Sequence, residues 1–339
     1  MGQLALIFSR VLQAIPTLFG IVVITFLLTR ALPGDPAAYF AGASATPESI
    51  AEIRAKLGLD QSLPMQFVTY LKDLSTGNLG ESISTGQPVA TELLRRLPAS
   101  LELTLFALLL SMAVAIPLGV LAAVYQDTWI DQLCRFIVTA GVSLPTFFTG
   151  LLLVYVFYFL LGFAPAPVGR LDMLHIAPPQ VTGFLVIDGL VAREWATAWS
   201  AFKQLLLPGI TLALFTLAPL ARMTRAAMLQ ALASEYLRTA RAAGLSNTRV
   251  LMVYAFRNAM LPIITTLGMV FSFTLGANVL VEKVFAWPGI GSFAIEALVV
   301  SDYAAVQGFV LSMAVLFVLL NLAIDTFYAL IDPRVRIEG

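Results

Sequence analysis

The residues best suited to binding chemistry in this chain are arginines gathered between two long apolar runs. The stretch Arg222–Pro262 holds six arginines and one acid, Glu235, although the formal net charge of the whole chain is zero. Guanidinium groups bind carboxylates, phosphates and carbonyl oxygens through several donors held in one plane. The stretch is therefore a candidate surface for lipid phosphates, backbone carbonyls or an acidic partner. Its arginines are Arg222, Arg225, Arg238, Arg241, Arg249 and Arg257.

Signals for catalysis, redox chemistry or metal binding are sparse. A single cysteine, Cys134, excludes an intramolecular disulfide, and a single histidine, His175, leaves no recognisable metal-ligand cluster. The sequence contains no phosphate-binding G-x-x-x-x-G-K-[ST] loop, no H-E-x-x-H and no G-x-S-x-G. We therefore expect no catalytic, cofactor-binding or metal site on this chain. The balanced charge also gives no general attraction to nucleic acid.

The composition indicates a polytopic membrane protein. Of the 339 residues 59% are hydrophobic and only 12% are charged, and the mean hydropathy is +0.89. Six uncharged runs approach or exceed the roughly 20 residues that a membrane-spanning helix needs, and they lack the alternation of barrel strands. The third run is too long for one plain span. The runs are Val11–Thr29, Leu103–Gln126, Phe136–Gly169, Gln204–Ala221, Asn258–Val281 and Tyr303–Ile324.

These runs divide the chain into three parts. The first run leads into Arg30–Pro36 rather than into a small-residue cleavage site, so it is interpreted as a retained helix and not a signal peptide. The predicted parts are an N-terminal tail with the first span (1–30), a loop subdomain with short helices (31–100), and a core (101–339). We place the remaining spans at about 101–126, 134–162, 204–222, 262–282 and 303–326, with a polar loop at 223–261.

Basic residues predict the orientation. Six spans put both termini on one side, and that side carries ten arginines against four basic residues opposite, if the long first loop is left aside. The excess of positive charge predicts that the termini and the loop 223–261 are cytoplasmic. The ten are Arg10, Arg135, the six arginines of Arg222–Pro262, Arg334 and Arg336; the four are Arg170, Arg193, Lys203 and Lys283.

The first loop has a local order of its own. Thr46 as N-cap, Pro47 at the first helical position and Gly58 as a stop predict one short helix. A second helix is predicted from Pro64 to Leu74, followed by a polar turn region at Gly80–Pro88. The loop is either a cap packed on the membrane helices or a docking surface for a soluble partner, and both interpretations stay open.

Polar residues and prolines within the runs suggest structural roles. Pro16, Pro117, Pro145 and Pro219 predict kinks and leave open whether these helices line a pathway. Asn278 and Asn321 are expected to form hydrogen bonds between helices. Asp325 is the one acidic residue expected inside a span, where a local pair is favoured over a proton relay. The sequence thus lacks the series of buried charges that ion-driven carriers often use.

The polar loop predicts a helix, a glycine and a second helix. Ser234–Ala243 is expected to be helical, with Glu235 and Arg238 paired one turn apart. Gly244 is the expected left-handed residue after its end, and Leu245 supplies the apolar contact that accompanies such a cap. Ser246 is the predicted N-cap of a helix running through Met260, with Pro262 at the start of the fifth span.

The residues Glu235–Leu245, followed by Arg257–Pro262, resemble the EAA loop of binding-protein-dependent ABC importer permeases. The match is to the variant found in dipeptide and oligopeptide permeases. Each supporting motif is short, but together they occur in order along nearly the full chain. They are Leu32–Pro36, Leu57–Asp60, Gly77–Gly80, Ala221–Arg225, Phe285–Gly291, Asp302–Tyr303 and Asp332–Arg334.

The loop also departs from the general EAA pattern. Arg238, Thr239 and Ala240 stand where that pattern has a glutamate and two alanines, and Phe256-Arg257 replaces its Leu-Pro pair. Both departures are similar to those of peptide-type permeases. They argue against any role that depends on the charge of that glutamate.

The resemblance implies an all-α polytopic protein with six transmembrane helices in an ABC type I importer-like bundle and a cytoplasmic coupling helix. It implies a location in the bacterial cytoplasmic (inner) membrane, with a homologous second permease as heterodimer partner. Two cytoplasmic ATPase subunits would bind ATP and Mg, and a periplasmic or surface protein would deliver the solute. In that family the loop sits in a groove of the ATPase. The residues implied in this coupling are Glu235, Arg238, Thr239, Ala240, Arg241, Gly244 and Leu245.

Alternatives remain at this point. Arg238 and Arg241 can instead serve only to set topology, without meeting a partner. The chain can be an ion-gradient-driven secondary carrier, which would transport alone, or a scaffold subunit without a pathway. The cargo is also open, because peptide-type permeases resemble those for nickel, glutathione, haem precursors, opines and some oligosaccharides.

Overall fold

The computed structural model describes residues 3–31, 35–42 and 45–331, and within these ranges regular structure is almost entirely helical. One isolated β-bridge joins Glu81 and Pro88, in the predicted turn region. The all-α class is therefore confirmed. The helices are α1 (Gln3–Ala31), α2 (Pro36–Ala41), α3 (Pro47–Lys56), α4 (Leu63–Ser75), α5 (Val89–Val124), α6 (Trp129–Gly141), α7 (Thr146–Leu153), α8 (Leu185–Val191), α9 (Trp195–Leu232), α10 (Glu235–Ala242), α11 (Asn247–Arg249), α12 (Phe256–Val284), α13 (Ile290–Val299) and α14 (Tyr303–Ile331).

Each predicted apolar run falls on one or more of these helices. Within the described ranges, four helices are long and apolar enough to cross a membrane: Val89–Val124, Trp195–Leu232, Asn247–Val284 and Tyr303–Ile324. The first run lies in α1, whose segment Ile15–Ala31 counts as a shorter apolar helix. The predicted motif residues 32–34 and 332–334, and the termini with Arg336, lie outside the described residues. So does the side chain of Asp325.

The third run is not one straight helix. Trp129–Gly141 and the helix that begins at Thr146 are apolar enough together to span a membrane, but they meet at 94°. Pro145 stands at the break as the N-cap of α7, in extended conformation, because proline cannot continue the hydrogen-bonding pattern of a preceding helix. The expected kink at Pro145 is therefore a full change of direction. After Leu153 the helix widens into a π-helical segment at Val154–Leu160.

The chain divides into two compact units. Among the described residues, one comprises 3–31, 35–42, 45–99 and 288–322, and the other comprises 100–287 and 323–331. In the first unit, Val89, Leu93 and Phe293 belong to a buried apolar cluster. Buried Asp302 accepts hydrogen bonds from the Ser82 hydroxyl at 2.7 Å and from the Ser84 N–H at 3.2 Å. This unit thus combines an apolar core with a buried carboxylate, Asp302, which precedes α14 and accepts hydrogen bonds from the turn before α5.

The short helices of the first loop agree with the sequence analysis. The Thr46 hydroxyl caps α3 by accepting from the Ser49 N–H, and Gly58 adopts a positive φ of 64° after its end. The second helix, α4, begins one residue before the predicted Pro64 and ends one after Leu74. Local capping chemistry therefore decides these boundaries, as expected.

Polar side chains hold α5 and α12 together in the second unit. The Asn278 amide donates to the Ser100 carbonyl and the Thr104 hydroxyl, each at 3.3 Å, which confirms its predicted interhelical role. Buried Glu282 accepts from the Ser100 hydroxyl at 2.5 Å. Asn321 differs from the prediction, because its amide donates to Phe317 of its own helix at 2.9 Å.

Buried carboxylates are more numerous than the apolar runs suggested. Glu102 lies within α5 and is 6% exposed, with Arg170 at 2.5 Å. An uncharged run ends at the nearest charged residue, so the sequence predicts Glu102 as the end of the first loop. The helix instead continues through it, because the side chain is neutralised by an arginine from a later loop.

The segment between the π-helical turn and α9 is organised by one aspartate. Buried Asp188 of α8 accepts from the Thr182 N–H and hydroxyl, both at 2.7 Å, and from the Gly183 N–H at 2.9 Å. Burial alone would raise the pKa of Asp188, but these donors outweigh it and the pKa is lowered. The carboxylate therefore stabilises this loop in its ionised form.

A close approach of α5 and α9 depends on Gly119. A Cβ at this position would lie 2.6 Å from the Thr224 Cβ and 2.8 Å from the Ala221 carbonyl oxygen. The Ala221 carbonyl oxygen belongs to the backbone and cannot rotate away. The two helices therefore pack at a distance that only glycine permits.

We expect Gly119→Ala to destabilise the second unit by about 1–3 kcal/mol, because the added methyl forces the helices apart. The matched control is Gly276→Ala, since a Cβ there meets no atom within 4 Å. Thermal unfolding in detergent should show a lower midpoint for the first variant only. Equal midpoints for the two variants would contradict this packing.

Candidate coupling site

The short helix α10 lies one residue inside the predicted range 234–243 at each end. Ser234 is its N-cap in extended conformation, with φ −75° and ψ 149°. Gly244 has a φ of 75°. The Gly244 N–H donates to Arg241 at 3.0 Å and the Leu245 N–H donates to Ala240 at 3.3 Å. This is the Schellman arrangement, so the chain reverses immediately after α10.

One face of α10 is anchored in an apolar cluster. Leu237 is fully buried and Ala240 is 7% exposed. Both belong to a cluster with Met228 of α9 and Val250 of the following segment, and Leu245 packs against it. Helix α10 is therefore held by side-chain packing against the end of α9 and the start of the next helix. An isolated helix of eight residues would have little stability without such packing.

The other face of α10 is exposed. Glu235, Arg238, Thr239 and Arg241 are all exposed. Arg238 donates to Glu235 at 3.1 Å, as predicted, but their side chains are 81% and 82% exposed. An ion pair this exposed contributes little to stability. These side chains are therefore available to a partner rather than needed for the fold.

The seven predicted coupling residues thus separate into two groups. Glu235, Arg238, Thr239, Arg241 and Gly244 are at the surface, whereas Ala240 is buried and Leu245 half-buried. A sequence motif does not distinguish these roles, because both groups occur within one stretch. The helical periodicity does distinguish them: Leu237, Ala240 and Leu245 follow the spacing of one helix face and its cap.

The helix after the reversal contains a feature that the sequence did not reveal. Asn247–Arg249 starts from Ser246, as predicted, and then widens into a π-helical segment at Val250–Ala255 before α12. Such segments are rare and often occur at functional sites. Here the segment lies between the anchored α10 and α12. It is part of one continuous membrane-length helix, Asn247–Val284.

A buried ion pair fixes α6 to α9 in the second unit. Asp131 is fully buried and accepts from the Arg225 Nε at 2.9 Å and from its Nη2 at 2.7 Å. Arg135 lies 3.5 Å from the same carboxylate. The sequence predicts lipid phosphates or backbone carbonyls as partners of Arg222 and Arg225. Arg222 does donate to the Ala218 carbonyl at 3.3 Å, but Arg225 pairs with an aspartate that was not singled out.

The described residues provide no obvious metal centre. Within residues 3–31, 35–42 and 45–331, no three His, Cys, Asp or Glu side chains form a group that would hold a metal ion.

The fold defines a polytopic membrane protein with a rigidly anchored, exposed helix beyond one of its spans. Comparison with known proteins identifies the family. Residues 115–337 match the binding-protein-dependent transport system inner membrane component, and residues 3–104 match the N-terminal part of such membrane components. The chain belongs to this family, and it is therefore an inner membrane component of a transport system.

Several curated relatives are similar over nearly their full length. The probable D,D-dipeptide transport system permease protein of Escherichia coli K12 is 43% identical, with 94% of each chain covered. The di/tripeptide transport system permease protein of Pseudomonas aeruginosa UCBPP-PA14 is 42% identical, over 98% of this chain and 99% of the relative. The dipeptide permease of Alkalihalophilus pseudofirmus is 38% identical. The relatives are permease proteins, in agreement with a transport subunit rather than an enzyme.

We expect Arg225→Gln to destabilise the protein by about 3 kcal/mol, because it leaves the buried Asp131 carboxylate without its bidentate partner. The double variant Asp131→Asn with Arg225→Gln should recover much of this loss, since no buried charge then remains unpaired. Arg222→Gln is the matched control, as Arg222 bonds only to its own helix. The midpoint of thermal unfolding in detergent is measured for the wild type and the three variants. A double variant no more stable than Arg225→Gln would argue against the pair.

Proposed function

We propose that this chain is one of two transmembrane subunits of an ATP-driven importer for dipeptides, oligopeptides or related small solutes. A homologous second permease completes the pathway. Two cytoplasmic ATPase subunits bind ATP and Mg, and a solute-binding protein outside the membrane delivers the cargo. The names of the relatives, which specify dipeptide and di/tripeptide transport, support a peptide cargo.

The observation that carries the proposal is the two-sided construction of α10. Its buried face is anchored through Leu237 to the ends of two membrane-length helices, while its exposed face presents Arg238 and Arg241. A force applied to the exposed face is therefore transmitted to α9 and α12 without bending a flexible loop. ATP-induced closure of the ATPase pair would move these helices between outward and inward access.

The orientation belongs to the same proposal. The arginine-rich end of α9 and the helix α10 face the cytoplasm, and so do both chain termini. This arrangement places α10 on the side of the membrane where ATP is available. It also places the helices α3 and α4 on the opposite side, where a solute-binding protein would dock.

We expect Arg238→Glu combined with Arg241→Glu to uncouple transport, because charge reversal opposes any acidic partner surface. Peptide uptake and peptide-stimulated ATP hydrolysis should both fall roughly tenfold or more, as expected for losing two charge-assisted contacts. The melting temperature should be unchanged, since both side chains are exposed. Lys203→Glu, a charge reversal at an exposed lysine of α9, is the control. Normal coupling in the double variant would exclude the exposed face of α10 as the contact surface for the ATPase.

The backbone reversal can be tested separately. We expect Gly244→Val to reduce coupling because a β-branched residue is strained at a φ of 75°. Gly244→Asn should be tolerated, since asparagine adopts this conformation more readily. Gly162→Val carries a similar strain at a φ of 64° in a different loop, and it should leave ATP hydrolysis coupled to uptake.

The energy source distinguishes the proposal from a secondary carrier. In proteoliposomes containing the full set of subunits, labelled dipeptide should accumulate only with ATP on the α10 side and with the binding protein on the other. An ion gradient without ATP should give no uptake. Uptake by this chain alone, driven by an ion gradient, would instead establish the carrier.

A further inference from the structure

A cavity of about 310 Å³ lies between α5, α6 and α9, near the end of α9 that leads to α10. Small residues of the α5 and α9 crossing, Gly119, Ala122 and Ala221, line it together with larger apolar side chains. Three arginines complete the lining. The lining residues are Leu118, Gly119, Ala122, Cys134, Arg135, Val138, Thr139, Ala221, Arg222 and Arg225. The cavity therefore combines apolar walls with a cluster of positive charge.

The three arginines use only some of their guanidinium N–H donors for contacts within the protein. Arg225 uses its Nε and Nη2 for Asp131. Arg222 uses its Nε for the Ala218 carbonyl, and the Nε of Arg135 faces Asp131 at 3.5 Å. In the described part of the chain, the terminal nitrogens of Arg222 and Arg135 make no hydrogen bond. Each of these two guanidinium groups therefore retains two terminal NH₂ groups for a ligand.

The local charge favours an anion. Asp131 is the one carboxylate that pairs with these arginines within the described ranges, and its charge is balanced by Arg225. Asp127 also interacts with Arg225 through space, but its side chain is exposed to solvent. Arg135 and Arg222 add two further positive charges. An excess of positive charge thus remains at the cavity.

Helix α6 indicates that the cavity lies at the level of the lipid headgroups. Its inner face buries Asp131, Cys134 and Val138. Its outer face exposes Trp129 and Phe136, each 71% exposed, and α6 meets the following helix at 94°. Such a strongly amphipathic helix with an exposed tryptophan is typical of the membrane interface.

We propose that this cavity binds the headgroup of an anionic phospholipid from the leaflet on the α10 side. The terminal nitrogens of Arg135 and Arg222 would hold the phosphate oxygens, with Arg225 kept in place by Asp131. The apolar walls would accept the glycerol and the first methylene groups of the acyl chains. A zwitterionic lipid fits less well, because its ammonium group would approach the same arginines. This site is independent of the proposed coupling role of α10.

Lipid retention tests the proposal directly. The transporter, purified with its accompanying subunits, is reconstituted in nanodiscs of phosphatidylcholine with or without phosphatidylglycerol, and bound lipid is measured by native mass spectrometry. We expect the wild type to retain phosphatidylglycerol preferentially. The variant Arg135→Gln with Arg222→Gln should lose this preference roughly tenfold or more, given about 1 kcal/mol for each basic residue near an anionic surface.

The control is Arg257→Gln, which removes an exposed arginine on the same predicted side of the membrane but outside the cavity lining. It should retain the lipid as the wild type does. Equal retention of the two lipids by the wild type would overturn the proposal, and so would equal retention by the double variant and the control. Displacement of the lipid by free glycerol phosphate or by a dipeptide at similar concentration would assign the cavity to a soluble anion or to the cargo.

A second readout does not depend on the variants folding equally well. Cys134 lines the cavity and is the one cysteine of the chain. In wild-type nanodiscs, its alkylation by N-ethylmaleimide, followed on its own peptide by mass spectrometry, should be several-fold slower with phosphatidylglycerol than with phosphatidylcholine alone. Equal rates in the two lipids would contradict occupation of the cavity by the anionic headgroup.

Discussion

The hydrocarbon core of the membrane offers no water to the peptide backbone, and this constraint decides most of the structure. Every N–H and C=O that crosses it must be bonded within the chain, so the apolar runs become helices. The same constraint governs the polar side chains. Asn278 and Glu282 bond to groups on α5. Buried polarity is tolerated here because both side chains meet a partner on another helix.

A second requirement is that the very short helix α10 must be kept rigid. Helix α10 has eight residues, too few to be stable alone. Its stability comes from Leu237 within an apolar cluster and from the reversal at Gly244. Because the buried face carries the stability, the exposed face is free to carry charge. This separation explains how arginine can stand where the general family motif has glutamate without any cost to the fold.

The two arginine groups of the stretch 222–262 have different surroundings. Arg238 and Arg241 are exposed on α10, whereas Arg222 and Arg225 line a cavity in the second unit. The sequence presents them as one basic region. Their division follows from the break between α9 and α10, which puts one pair on α9 and the other on the short helix α10. One basic stretch of sequence thus contains residues with separate structural surroundings.

Local sequence alone determined the features whose causes lie within a few residues. The six apolar runs all fall on helices, Thr46 and Ser234 stand at helix starts, and Gly58 and Gly244 stand at helix ends, because capping and hydrophobic length act over short stretches of chain. Family motifs in Glu235–Leu245 further identified the kind of protein. Only the tertiary structure decided which side of α10 is buried, so that Ala240 and Leu245 belong to the core and Arg241 to the surface. It likewise decided the 94° turn at Pro145 and the pairing of Asp131 with Arg225. These features depend on how distant segments pack, and no pattern within either segment encodes its partner.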